Sequence, residues 1–259
     1  MRYVMTGLGI AMAATAAVAV HAQLVQPAAT SVSYFKADGT WRAAVFLCDG
    51  TDRDRLYAMT PPGRDRRVAL WSFAKPELSA EQVALTLGQG DAGMSQVYYP
   101  LSRPGGAEIG AVHTISPDVV EPGATTPTVT WVKLGEDVTS CRFAPQTRVL
   151  GATARRSIQV TATERSGYRY RSYNYDTRLS AIEQPWGGRD TRASLTIDGG
   201  RLIDQTGGRR VYEFASGGYV YRVLAGVEQG RVGGGVQVLQ NGRLVLQEPF
   251  GAYTAAVKP

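Results

Sequence analysis

Residues 164–178 read ERSGYRYRSYNYDTR, and residues 157–163, immediately before them, read SIQVTAT. The earlier stretch alternates polar and apolar residues, the pattern of a strand with one face buried. Residues 164–167 (Glu-Arg-Ser-Gly) have turn composition, and Tyr168 to Tyr175 then read as the returning arm of a β-hairpin. Successive side chains of a strand point to opposite faces. Tyr168, Tyr170, Ser172 and Asn174 therefore share one side of the returning arm, and Arg169, Arg171, Tyr173 and Tyr175 share the other. Tyrosine and arginine each carry an apolar body and a polar tip, which suits a half-wet surface, and both are enriched where proteins bind partners. Arg169, Arg171, Tyr173 and Tyr175 are accordingly the candidate binding residues. The plain alternative is an edge hairpin whose rings pack across strands while its arginines face water.

The same reading extends in both directions. Towards the N-terminus, strand-like runs at 31–37 and 40–48 flank Asp38-Gly39, runs at 55–60 and 66–73 flank 61–65 (PPGRD), and runs at 83–87 and 94–101 flank 89–93 (QGDAG). Further runs at 108–115, 128–134 and 138–143 follow, separated by a Pro/Gly/Thr-rich loop at 116–127. Residues 179–191 (LSAIEQPWGGRDT) carry no period and read as a linker. Beyond them stand three hairpin-like units, centred on Asp198-Gly199-Gly200, on 215–218 (ASGG) and on Asn241-Gly242. Asn-Gly between alternating arms calls for a type I′ turn. Gly233-Gly234-Gly235 separates the second unit from the third. The expected fold is all-β: antiparallel sheets, as a sandwich or partly open barrel, followed by a smaller C-terminal β-meander. The expected division is residues 1–22 as a signal peptide, 23–178 as an N-terminal β domain, 179–191 as a linker and 192–259 as the C-terminal domain.

The leader is read from composition. Arg2 is the only charged residue before Lys36, an apolar alanine-rich run covers 4–20, and Val20-His21-Ala22 precedes an abrupt change in polarity. That tripartite pattern predicts cleavage between Ala22 and Gln23 and export to the periplasm or beyond. The chain carries 28 basic and 22 acidic residues, a net +6 that falls to +5 once Arg2 leaves with the leader. The excess is local: residues 142–178 hold eight arginines against Glu164 and Asp176. An exported chain meets few nucleic acids, so the expected partner is an anionic envelope component or an acidic protein, with no integral membrane span after processing.

Cys48 and Cys141 are the only cysteines, and an oxidising compartment predicts one disulfide between them. Catalytic signals are weak. Residues 88–93 (GQGDAG) match a dinucleotide-binding glycine pattern, but the residues after them read as a strand where that pattern needs a helix. His113 is the only histidine after processing, and neither a nucleophile elbow nor a histidine cluster accompanies it. Asp49, Asp52 and Asp54 lack calcium-loop spacing and read as a solvated turn. No metal and no cofactor are expected. The sequence points to an exported, non-catalytic envelope-binding or accessory protein. The alternatives are a hydrolase of envelope polymer with an unassigned carboxylate pair, and a purely structural module.

Overall fold

A computed structural model describes residues 30–51, 54–142, 146–164, 167–176, 193–228 and 231–257. The expected leader with its cleavage point and the expected linker lie outside these residues. The chain runs through β1 (Ser31–Ala37), β2 (Thr40–Ala44), β3 (Phe46–Asp49), β4 (Arg55–Met59), β5 (Arg67–Ala74), β6 (Ser79–Leu87), β7 (Asp91–Gly93), β8 (Gln96–Ser102) and β9 (Glu108–Ile115). A single helical turn, α1 (Pro117–Val120), interrupts the strands. Then come β10 (Thr128–Leu134), β11 (Asp137–Ser140), β12 (Thr147–Ala152), β13 (Arg156–Ala162), β14 (Tyr168–Asn174), β15 (Leu195–Asp204), β16 (Arg209–Ser216), β17 (Tyr219–Glu228), β18 (Arg231–Gln240), β19 (Arg243–Pro249) and β20 (Ala252–Ala256). Every ladder is antiparallel, as the alternating pattern requires.

Two sheets result. The first takes the order β11-β10-β9-β8-β6-β5-β4-β3, with β7 paired to β8. Its two ends meet, because Gly50 bridges Cys141, Arg142 N–H donates to the Asp49 carbonyl at 2.6 Å and Thr51 N–H donates to the Ser140 carbonyl at 2.9 Å. The sheet is thereby closed into a barrel. Alternate residues of its strands, such as Tyr57 and Met59, Val68 and Leu70, Leu85 and Leu87, fill the interior. Cys48 and Cys141 sit in that interior and are joined by the expected disulfide, which spans the closing seam.

The second sheet has eleven strands in the order β19-β18-β17-β16-β15-β14-β13-β12-β20-β1-β2. It curls: the Tyr253 hydroxyl of β20 donates to the Gly226 carbonyl of β17 at 2.8 Å, across five intervening strands of the sheet order. Tyr170, Tyr212, Phe214, Phe250 and Tyr253 pack in its concave interior. The barrel docks on its outer side, where Leu47, Leu56, Ala58, Trp71 and Phe73 meet Phe35, Ala37, Ala152 and Ala252.

Three local expectations are corrected. The run 40–48 is two strands, broken at Val45, where the chain leaves the curled sheet (β2) and enters the barrel (β3). Residues 198–200 make no hairpin; β15 runs straight through them with a register shift against β14. Their glycines serve a bulge and a close approach, since a Cβ on Gly200 would overlap the Phe214 ring. Gly233 to Gly235 lie inside β18, where a side chain on Gly234 or Gly235 would meet the neighbouring backbone.

β14 pairs with β15 across residues 179–191, with Tyr170 opposite Ile197 and Ser172 opposite Leu195. Chains split by an engineered protease site within 179–191 are therefore expected to co-elute as one particle on size exclusion, since β12–β14 and β15–β20 share a sheet. Separate elution of the two fragments would show that the ladder holds little.

Candidate binding site

The two faces of β14 have different fates. Tyr168 and Tyr170 point into the concave interior, where Tyr170 lies 5.6 Å from the Tyr221 ring and 5.5 Å from that of Phe214. Burial pushes the Tyr170 phenol well above its ordinary range. The opposite face carries the four candidate residues, and the structure divides them into two pairs.

Tyr173 and Tyr175 turn towards the barrel. Tyr173 is 4% exposed and lies beneath the Arg142 guanidinium, 3.4 Å from carbon to ring centroid, with its hydroxyl donating to Gln159 Oε1 at 3.3 Å. Tyr175 shares a hydrogen bond with Ser157 Oγ at 3.0 Å, and the Lys75 ammonium stands 5.2 Å from its ring. Burial, reinforced by the Asp49 charge, raises its phenol. At the centre of this group is Asp49, 1% exposed, whose Oδ1 is 2.5 Å from Lys75 Nζ and whose Oδ2 accepts from Arg142 Nε at 2.7 Å. Burial alone would raise the Asp49 carboxyl, but the two cations overcome it and hold the group below its ordinary range. The expected solvated turn is thus, at Asp49, an interior ion cluster covering the barrel seam. Its outer cover is β13, whose polar residues Ser157, Gln159 and Thr161 are buried as fully as its apolar ones.

Arg169 and Arg171 remain half-exposed on the outer face of the curled sheet. Arg169 Nε pairs with Asp198 of β15. Arg171 makes no ion pair among the described residues. The neighbouring strands extend the same face. Arg201 of β15 and Arg222 of β17 both bind Glu213 of β16, at 2.7 and 2.9 Å, in directly opposed cross-strand positions. The Arg201 hydrogen bond, followed by that of Arg222, outweighs burial and lowers the Glu213 carboxyl. Four arginines thus share a face with Asp198 and Glu213, and Arg201 is 75% exposed at its side chain. Asp198, Arg201, Glu213 and Arg222 escaped the sequence reading. A signal for one pair was present, because a two-residue turn at Gly217-Gly218 places Glu213 opposite Arg222.

Other expected features resolve simply. His113 is buried between Tyr98 and Trp131, stacked 5.1 Å from the latter, and bonds Thr130 Oγ1 and Gln96 Oε1; burial lowers its pKa. Within 88–93, residues 91–93 are the strand β7, and the chain turns at Met94-Ser95. Among the described residues no three His, Cys, Asp or Glu side chains cluster to hold a metal, and no helix is long and apolar enough to cross a membrane. The disulfide is compatible with an extracellular or periplasmic protein. No protein-family model matches the chain, and neither does any curated protein or solved structure.

Proposed function

We propose that this is an exported, non-catalytic binding protein of the cell envelope, released into the periplasm or beyond by cleavage between Ala22 and Gln23. It engages an anionic envelope component or an acidic protein partner through the outer face of its curled sheet. One observation supports the reading: Arg169, Arg171, Arg201 and Arg222 stand on one face of adjacent strands with only Asp198 and Glu213 between them. The carboxylates hold Arg169, Arg201 and Arg222 in fixed positions, and two carboxylates against four arginines leave the face with a cationic excess. A planar guanidinium forks a phosphate or carboxylate through two parallel hydrogen bonds, which a lysine cannot do.

Binding of this kind weakens with salt, because the Debye length shrinks from about 10 Å at 0.1 M to about 3 Å at 1 M. Co-sedimentation with envelope fractions is expected to fall severalfold between those concentrations. At the lower one, the Arg169→Ala/Arg171→Ala double variant and Arg201→Ala are each expected to lose a comparable share. Their melting curves should stay near wild type, since exposed pairs contribute about 0–1 kcal/mol. Sedimentation that ignores both salt and substitution would remove the arginine face from the function.

A further inference from the structure

On the opposite, concave face of the same sheet lies a cavity of about 360 Å³. Its volume is at the low end of the roughly 300–1,000 Å³ found for small-molecule sites. Its walls are built from Leu195, Tyr219, Tyr221, Val236, Val238 and Leu246, supplied by β15, β17, β18 and β19. Part of the lining is polar: Ser172 and Ser194, together with the pair Arg156 of β13 and Asn174 of β14. Arg156 and Asn174 are directly opposed in the β13–β14 ladder, a relation that places Cβ atoms about 4.5–5.5 Å apart.

The polar part has an unusual balance. Arg156 Nη2 donates to Glu248 Oε1 at 3.1 Å, and Glu248 Oε2 also accepts from the Thr153 hydroxyl at 3.0 Å. The charge of the guanidinium is therefore already matched by a carboxylate that is itself 9% exposed. Yet among the described residues Arg156 Nε, a donor, and Asn174 Oδ1, an acceptor, have no hydrogen-bond partner, and both atoms are shielded from bulk water. A buried polar atom without a partner has lost its hydration and gained nothing in exchange. One donor and one acceptor thus stand unmet on paired residues of adjacent strands, in the electrically neutral polar part of a largely apolar cavity.

We propose that this cavity binds a small, uncharged amphiphile whose polar group is a carboxamide. The amide oxygen accepts from Arg156 Nε and the amide N–H donates to Asn174 Oδ1, after a small turn of both side chains, while the chain lies along Tyr221, Val236 and Val238. A carboxylate has no proton for Asn174 and would face Glu248. An ammonium has no lone pair for Arg156 and would face its charge. At roughly 30 Å³ per water-sized atom, the chamber takes roughly twelve heavy atoms, the size of decanamide. The site faces away from the arginine row, so its failure leaves the proposed envelope role standing.

The test is calorimetric titration of the intact exported protein with decanamide, decanoate and decylammonium at neutral pH. Decanamide is expected to bind at least tenfold more tightly than either ion. Asn174→Leu should lose about tenfold in decanamide affinity without losing thermal stability, because it removes an unmet buried acceptor, and should leave decanoate unchanged. Equal affinity for the three probes, no binding of any, or full decanamide affinity in a folded Asn174→Leu variant would overturn the assignment. If that variant does not fold, Leu246→Trp on the outer wall takes its place. It should weaken all three probes, and decanamide affinity surviving in it would equally refute the site.

Discussion

Replacing Cys48 and Cys141 together by alanine is expected to lower the melting temperature by roughly 9–18 °C. The bridge joins residues 93 apart in sequence. Closing a loop of that length in the unfolded chain corresponds to about 4.6 kcal/mol in the chain-entropy treatment. In a chain of this size each kcal/mol shifts the midpoint by about 2–4 °C. Geometry concentrates the effect. The other barrel ladders run from two paired residues in β6–β8 to eight in β5–β6. The β3–β11 closure rests on one bridge and the two hydrogen bonds of Thr51 and Arg142. Without the disulfide the barrel has its weakest edge there, so the Thr51 and Arg142 amides should show the largest acceleration of hydrogen exchange. Native protein should titrate no thiol, since the two cysteines are joined to each other. A double variant that melts within about 2 °C of wild type would mean that the closed seam survives on packing alone.

How far the sequence foretold this molecule depends on the range of the interaction. Alternation identified the strands because it is local, and the turns at Asp38-Gly39 and Asn241-Gly242 were legible for the same reason. Both have the paired positive φ values, 51 and 76° for the first and 51 and 75° for the second, that glycine at the second position accommodates. Sheet membership was not legible. Nothing in the continuous run from Trp41 to Cys48 marks Val45 as the point where the chain changes sheets. Charge was read least well. Residues 142–178 carry a large arginine excess when counted along the chain. In space Arg142 finds Asp49, Arg148 finds Glu121, Arg156 finds Glu248 and Arg169 finds Asp198. Their partners lie 27 to 93 residues away. A local sum cannot see such neutralisation, and the surviving cationic face comes instead from Arg171 joined by Arg201 and Arg222. Tyr173 and Tyr175 share the parity of Arg169 and Arg171 as expected, but parity only says which way a side chain points. The barrel that covers them is assembled from strands far earlier in the chain.

That covering is also where a single substitution should cost most. Asp49→Asn leaves Lys75 and Arg142 facing a neutral amide, with side-chain exposures of 5% and 3%. Removing one partner of a buried ion group costs about 3–5 kcal/mol, because the desolvated Lys75 ammonium loses its carboxylate. The Tyr173 ring retains some hold on Arg142, so the lower part of that range is expected. Acidity gives an independent check. The folded Asp49 carboxyl titrates below its ordinary 3.8 because of Lys75 and Arg142, despite burial. As pH falls, the unfolded chain therefore takes up the proton first. The stability contributed by Asp49 is complete above about pH 4 and is lost as pH drops through the folded value. Asp204 and Glu213, also held low, add slope of the same sign. The difference between wild type and variant, not either curve alone, isolates Asp49. Urea unfolding at pH 7 and again near pH 3 should show the gap narrowing in acid. A gap that does not change with pH would assign the loss to packing rather than charge. Because Asp49 and Arg142 are the chain neighbours of Cys48 and Cys141, combining Asp49→Asn with the double cysteine replacement should also be non-additive. Once the seam is open, water reaches Lys75 and Arg142, and the missing carboxylate no longer leaves them dry.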